Sequence, residues 1–242
     1  MSASTSLVIL TYVDSQRPIA VRQRLPDAIA SLEQTSYRGP VMIVDDGSTC
    51  DQHIRFLDHL ATSGRYDVIR RPVNGGISRA KNTCLRLLAE CDADIGFLAE
   101  DDIIFHEGWD EAYVTAMHRS GIQHFSWYVH NPYDQLVACN GTLVSASSGL
   151  LGLLLTMTRE VLAKVGGFKI LPHRYGYEHI QWTYRNVLAG LAPFPCDIVE
   201  SRRYIGRNVL PSSVDEIEVQ IGTEVNRPSG YVIERLFEPF EE

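Results

Sequence analysis

The sequence predicts an α/β fold, a mainly parallel sheet with helices on both faces. Three observations predict it. Short apolar runs alternate with helix-patterned stretches through about residue 100. Three of those runs end in polar or acidic clusters, Thr11-Tyr12, Asp45-Asp46 and Glu100-Asp101-Asp102. The chain has 242 residues, 45% hydrophobic and 21% charged, which suffices to bury a two-sided sheet core in one domain.

Leu7-Val8-Ile9-Leu10-Thr11 reads as a buried parallel strand because it is apolar and branched without alternation. A helix is expected over Pro26–Gln34, with Leu25, Ile29 and Leu32 near a helical period. Val41–Val44 is the second strand, His53–Ser63 a helix, and Tyr66–Arg70 the third strand. Asn74-Gly75-Gly76-Ile77-Ser78 is a turn into a helix, with Ser78 as the expected N-cap and Ala80, Cys84, Leu87 and Leu88 as the apolar stripe. Ile95–Leu98 is the fourth strand. The second half is less regular. Helices are expected at Trp109–Ser120, Arg159–Val165 and Glu178–Ala189, and strands at Gln123–Val129, Leu136–Val144 and Gly149–Thr158.

The formal net charge is −8, and it is concentrated locally: residues 211–242 carry eight acids against two bases. That balance argues against a strong nonspecific grip on nucleic acid. Five cysteines, an odd number with no CxxC pair, argue against a disulfide framework or zinc knuckle and fit a reducing cytoplasm. Leu7–Leu10 is too short and too soon followed by Asp14 for a signal peptide, and no apolar run is long enough to span a membrane.

In open α/β sheets ligands bind beyond the carboxyl ends of strands. Acids gathered there are costly unless a cation or hydrogen-bond donors meet them. Asp45-Asp46-Gly47-Ser48 alone is also good turn chemistry. All three clusters at one edge point to a site. Glu100-Asp101-Asp102 can hold Mg²⁺ or Mn²⁺, which take one or two carboxylates and complete their shell with phosphate oxygens and water. Gly75-Gly76 before a helix can approach an anion through backbone N–H groups. Arg79 and Lys81 are unfavourable in a first helical turn unless a phosphate or a carboxylate cluster lies near. Glu178 and His179 are candidates to deprotonate an acceptor hydroxyl, whereas Trp182 reads as core.

In this order, the stretches resemble the GT-A glycosyltransferases, especially the large inverting family 2, over Ser6 to Asn186. Val44-Asp45-Asp46-Gly47-Ser48 is similar to the family's Asp-Asp-Gly-Ser element. Asn74-Gly75-Gly76 through Ala80-Lys81-Asn82 is similar to its Asn-x-Gly…Ala-Arg-Asn stretch. Phe97 through Asp102 resembles its DxD region, and Gly166-Gly167-Phe168 with Tyr177-Glu178-His179 completes the order. The resemblance implies a sugar moved from a nucleoside-diphosphate sugar to an acceptor hydroxyl with inversion. It implies that Thr11 and Asp46 contact the base, with Tyr12 and Asp45 beside them, and that Arg79 lies near the base or diphosphate. Asp101 would lie near the ribose or donor sugar, Glu100 fills the first acidic place, and Asp102 would be the principal metal ligand. It divides the chain into a transferase domain at 1–210, with a nucleotide-sugar half at 1–105 and an acceptor half at 106–210, followed by an acidic extension at 211–242.

The departure lies at the base. The family often places Asp where this chain has His179, one residue after Glu178, and either can serve. A histidine that completes the metal site in some relatives has no counterpart downstream, since His179 is the last histidine. A UDP-sugar is the favoured donor. The acceptor stays open among glycans, lipid-linked molecules, proteins and modified nucleic acid, and the tail leaves room for a homo-oligomer. Two other readings compete. A nucleotidyltransferase would carry a glycine-rich loop after the first strand, where this chain has Thr11-Tyr12-Val13-Asp14-Ser15-Gln16, and would release pyrophosphate. A sugar-nucleotide binder without turnover would be explained by His179.

Overall fold

The computed structural model describes residues 3–128, 135–146, 150–170, 176–208, 233 and 235–242. The element order is β1 (Thr5–Thr11), α1 (Ile19–Glu33), β2 (Val41–Asp45), α2 (Asp51–Thr62), β3 (Asp67–Arg70), α3 (Ile77–Glu90), β4 (Ile95–Glu100) and β5 (Ile103–Phe105). It continues with α4 (Trp109–Ser120), β6 (Ser126–Tyr128), β7 (Gln135–Cys139), β8 (Thr142–Ala146), β9 (Leu150–Thr158) and α5 (Arg159–Val165). The last elements are α6 (Glu178–Leu188), β10 (Cys196–Ile198), α7 (Ser201–Tyr204) and β11 (Ile205–Arg207).

The main sheet has six strands in the order β3-β2-β1-β4-β9-β6. β3, β2, β1 and β4 run parallel, and β9 is antiparallel to both β4 and β6. β1 is central, with Leu7 paired to Val41 on one side and Phe97 on the other. Because side chains alternate along a strand, β1 feeds two cores. Leu7 and Ile9 pack with Leu25, Leu32, Leu57, Trp109 and Tyr113, from α1, α2 and α4. Val8 and Leu10 pack with Ala80, Cys84, Leu88, Val161 and Trp182, from α3, α5 and α6. Each such side chain contributes about 1.5–3 kcal/mol on burial, so both sheet faces need their helices.

Three expectations are corrected. The first helix starts at Ile19 and runs through Pro26, which lies inside it. Proline removes one N–H bond, but Val21, Leu25, Ala28, Ile29 and Leu32 form one continuous buried stripe that holds the helix against β1. Ser78 is not the N-cap of α3; Gly76 is, at φ 85. The Asp46 carboxylate accepts the Gly75 and Gly76 N–H groups, so it anchors the loop and the helix begins sooner. The strand expected over Leu136–Val144 is a hairpin, β7 and β8, with Cys139 opposite Thr142. Asn140 and Gly141 have φ 46 and 78, the two positive angles of a primed two-residue turn.

A second sheet joins β10-β8-β7, and β11 pairs with β5. Residues 235–242 pack on the α3–α5–α6 face: Gly167 N–H donates to the Glu238 carbonyl at 2.7 Å, and the Asn82 side chain donates to the Glu241 carbonyl at 2.9 Å. The sequence allows Trp127–Asn131 and Tyr175–Tyr177 either as an acceptor wall or as core. Trp127 and Tyr128 are buried, whereas Val129–Asn131, Tyr175 and the alternating Val214, Ile217, Val219 and Ile221 of the tail lie outside the described residues. No helix among the described residues is long and apolar enough to cross a membrane.

A buried histidine ties β9 to α6. His124 Nδ1 donates to the Thr156 carbonyl at 2.8 Å, so its Nε2 accepts from the Thr183 hydroxyl at 3.0 Å. Burial lowers its pKa to about 4. The native ring therefore stays neutral while the unfolded ring takes a proton below about pH 6.5. This group's contribution is intact above that pH and is lost as the pH falls toward 4, by about 2 kcal/mol between pH 7 and 5. In urea unfolding, His124→Asn should lack that part of the pH dependence. Equal slopes for wild type and variant would refute it.

Candidate active site

The carboxyl ends of β1, β2 and β4 lie side by side, with Thr11 paired to Asp45 and Leu10 to Glu100 in register. The expected clusters therefore meet at one edge. Asp45 is fully buried; it accepts the Ser48 N–H at 3.1 Å and Arg70 Nε at 3.3 Å. Asp46 accepts Arg71 Nη1 at 2.5 Å, Gly75 N–H at 3.0 Å and Gly76 N–H at 3.2 Å. Burial pushes the Asp46 carboxyl above its ordinary value, against the lowering effect of the Gly75 amide and Arg71. The Thr11 hydroxyl donates to Asp101 Oδ2 at 2.5 Å and lies 3.2 Å from His53 Nε2. The Thr11 hydroxyl hydrogen is committed to that carboxylate, so the His53 Nε2–H donates to the Thr11 oxygen. Tyr12 follows at the loop, half-buried.

The three acids after β4 have different neighbours. Glu100 Oε1 accepts Lys81 Nζ at 2.7 Å, yet burial keeps the carboxyl raised. Burial also drives Asp101 up to about 7; the Thr11 hydrogen bond opposes this and the Asp102 charge reinforces it. Asp102 Oδ2 accepts Arg207 Nε at 3.0 Å from β11, whereas its buried Oδ1 has no hydrogen-bond partner among the described residues.

Opposite them stands the start of α6. Gly176 has φ 93 and Tyr177, left-handed at φ 65, turns the chain so that Glu178 and His179 open the helix. A non-glycine residue in that region is strained, which is common at functional sites. Glu178 is 2% exposed. Its Oε1 accepts Lys81 Nζ at 2.9 Å and lies 3.2 Å from His179 Nδ1. Burial would raise the Glu178 pKa, but the Lys81 and His179 interactions overcome this and hold it well below the carboxylate range. Lys81 is itself 0% exposed; burial disfavours its charge, and Glu100 and Glu178 more than restore it. His179 rests on β9 at Gly152, where an added Cβ would come 2.7 Å from His179 Cγ.

The structure thus joins Thr11, Asp45, Asp46, Glu100, Asp101 and Asp102 along one edge and links Glu100 through Lys81 to Glu178 and His179. Arg79 is turned toward the chain's other end, where its Nη1 donates to the Glu242 carbonyl at 3.1 Å. The cation at Asp46 is Arg71. Arg71, Arg207, His53 and Gly152 escape the sequence reading; only the Asn74-Gly75-Gly76 turn beside Arg71 hints at one of them. For Lys81 the carboxylate cluster that its unfavourable helix position called for is present.

Among the described residues no three His, Cys, Asp or Glu side chains gather into a self-sufficient metal site. A small hard cation that takes one carboxylate and completes its shell with phosphate and water needs less. Asp102 Oδ1 is suited to that role.

The sequence model described as glycosyl transferase family 2 matches residues 6–133. An uncharacterized glycosyltransferase, R363, of Acanthamoeba polyphaga mimivirus is 33% identical over 221 residues, covering 89% of this chain and 86% of that protein. The chain belongs to glycosyl transferase family 2. The fold of this glycosyltransferase is GT-A, as in two solved structures. TarS 1–349 of S. aureus in complex with UDP superposes with a TM-score of 0.60 at 15% identity, over 94% of this chain and 67% of that one. The mannosyltransferase PcManGT of Pyrobaculum calidifontis, in complex with GDP-Man and Mn²⁺, gives 0.57 at 17% identity, over 84% of this chain. The glycosyltransferase spans 59% of that mannosyltransferase's length.

Proposed function

We propose that this glycosyltransferase moves a sugar from a nucleoside-diphosphate sugar, with a UDP-sugar favoured, to an acceptor hydroxyl with inversion. One observation carries the reading: Lys81 joins Glu100 to the Glu178–His179 pair, and two residues after Glu100 the buried Asp102 Oδ1 has no hydrogen-bond partner among the described residues. Solved relatives of the same fold in complex with UDP, and with GDP-Man and Mn²⁺, support the donor class.

In this reading Asp46, Gly75-Gly76 and Thr11 shape the nucleotide end, with Tyr12 and Asp45 flanking it. Glu100 and Asp101 lie near the donor sugar. Asp102 would hold Mn²⁺ or Mg²⁺, which supplies Lewis-acid neutralisation of the departing diphosphate. Glu178 accepts the Nδ1–H of His179, which orients the ring and leaves Nε2 with the lone pair. His179 Nε2 then takes the acceptor proton as the hydroxyl attacks the anomeric carbon. The ring rests on the Gly152 backbone, which fixes where that nitrogen stands. The same chemistry serves a cytoplasmic protein acting on a glycan, a lipid-linked molecule, a protein or modified nucleic acid, as a monomer or homo-oligomer.

The test is nucleoside diphosphate release from a panel of UDP- and GDP-sugars with Mn²⁺, using water as acceptor. Release from one donor is expected, lost with EDTA and lowered about 10²–10⁴-fold in His179→Gln. Pyrophosphate as product would favour nucleotidyl transfer instead. Binding of a donor with no release would leave a sugar-nucleotide binder.

A further inference from the structure

Among the described residues, Lys81 touches both sides of the site. Its Nζ lies 2.7 Å from Glu100 Oε1, 2.9 Å from Glu178 Oε1 and 5.7 Å from the centre of the Phe168 ring. The side chain is 0% exposed. Among the described residues, Lys81 from α3, Glu100 from β4, and Glu178 and His179 from α6 gather here, and Asp102 adds its charge beside Glu100. From β9, Gly152 meets the imidazole and brings no charge.

We propose that Lys81 is a positioning residue that keeps Glu178 ionised, so that Glu178 accepts the Nδ1–H of His179 and His179 Nε2 stays unprotonated and able to take a proton. The inference rests on the transferase reading and extends it to how the base is kept ready.

The argument is one of charge and geometry. With Lys81, the two carboxylates and one ammonium sum to one negative charge. Without it they sum to two, with Glu178 shut off from water at 2% exposure and Glu100 partly open to it at 32%. Buried carboxylates that lose their cation bind a proton. Glu178 Oε2 has no hydrogen-bond partner among the described residues, so none of them replaces the lost interaction. The extra proton has two resting places. On Glu178 it points at Nδ1, and the neutral ring then carries its own proton on Nε2. On the ring it makes an imidazolium, which also has Nε2–H. Both outcomes block the nitrogen that must accept the acceptor's proton, although the ring itself is unchanged.

The test reads the ring directly. In ¹⁵N-labelled protein at pH 7.5, ring ¹⁵N–¹H correlations report which nitrogen of His179 carries hydrogen, and His179→Gln identifies the signals. Wild type should show hydrogen on Nδ1 and a bare Nε2. Lys81→Met should show hydrogen on Nε2, and Lys81→Arg should keep the wild-type pattern. The acidic limb of nucleoside diphosphate release should move up by about one pH unit or more in Lys81→Met. A bare Nε2 in Lys81→Met overturns the inference. Should Lys81→Met not fold, Glu100→Gln leaves the ammonium to Glu178 alone, and the limb should move down; an upward shift or none overturns the inference. If Lys81→Met switches the ring but His179→Gln releases nucleoside diphosphate at the wild-type rate, Lys81 controls the pair as stated and the assignment of His179 as base falls instead.

Discussion

Asp102→Asn is expected to cut nucleoside diphosphate release by about 10³-fold, the rate equivalent of about 4 kcal/mol of lost charge stabilisation. The variant keeps the shape of the side chain and one oxygen for the hydrogen bond that Arg207 Nε now makes at 3.0 Å. What it removes is the negative charge and the Oδ1 lone pairs, which no described residue uses. An amide nitrogen in that place repels a cation. The fold should survive: the lost charge assistance to Arg207 costs about 1 kcal/mol, a fall in Tm of roughly 2–4 °C. Arg207→Gln is the control, because it disturbs the same carboxylate without removing it and should reduce activity far less. Full release in Asp102→Asn would move the cation to another carboxylate or remove it from the reaction.

Gly152→Ala should lower kcat about 100-fold while leaving donor KM nearly unchanged. Gly152 has φ +68, and a Cβ there would lie 2.7 Å from His179 Cγ, 2.9 Å from its Cβ and 3.0 Å from its Cδ2. Those atoms are the root of the ring rather than a flexible tip, so the imidazole as a whole must shift. A displacement of about 1 Å at a reacting group costs on the order of 10² in rate. The left-handed backbone adds about 1–2 kcal/mol of destabilisation, visible as a lower Tm. The split is informative: loss of kcat without loss of donor binding places the damage at the proton acceptor. A variant that loses donor affinity instead would put His179 on the donor side.

The sheet was legible because its strands announce themselves locally. Branched apolar runs such as Val8-Ile9-Leu10 need no partner to be recognised, and acids directly after them mark the carboxyl edge. The carboxylates were found for that reason. Their cations were not, because pairing is a property of the closed fold: Arg71 lies 25 residues from Asp46, Glu178 lies 97 from Lys81, and Arg207 lies 105 from Asp102. Arg79 carries the right charge in the right stretch, but the first turn of α3 points it at Glu242. β5, β10 and β11 have three residues each, too short to show a period. The Asn140-Gly141 hairpin is different. Its turn signal stands in the sequence, and the apolar residues on either side disguise two strands as one.

The packing of residues 235–242 bears on how the molecule comes apart. Asn82 is held to Glu241 across 159 residues, and Arg79 to Glu242 across 163. The Arg185 guanidinium, fully buried, is bonded to the carbonyls of Val165, Gly167 and Leu236. Contacts of such span are entropically slow to form, and they tie α3 to residues 235–242. β4 is also zipped to β9. The segments before and after residue 105 are therefore one thermodynamic unit. Denaturant should melt them in a single cooperative step, and a fragment ending near residue 105 would expose the face of α3 that Trp182 and Val161 cover.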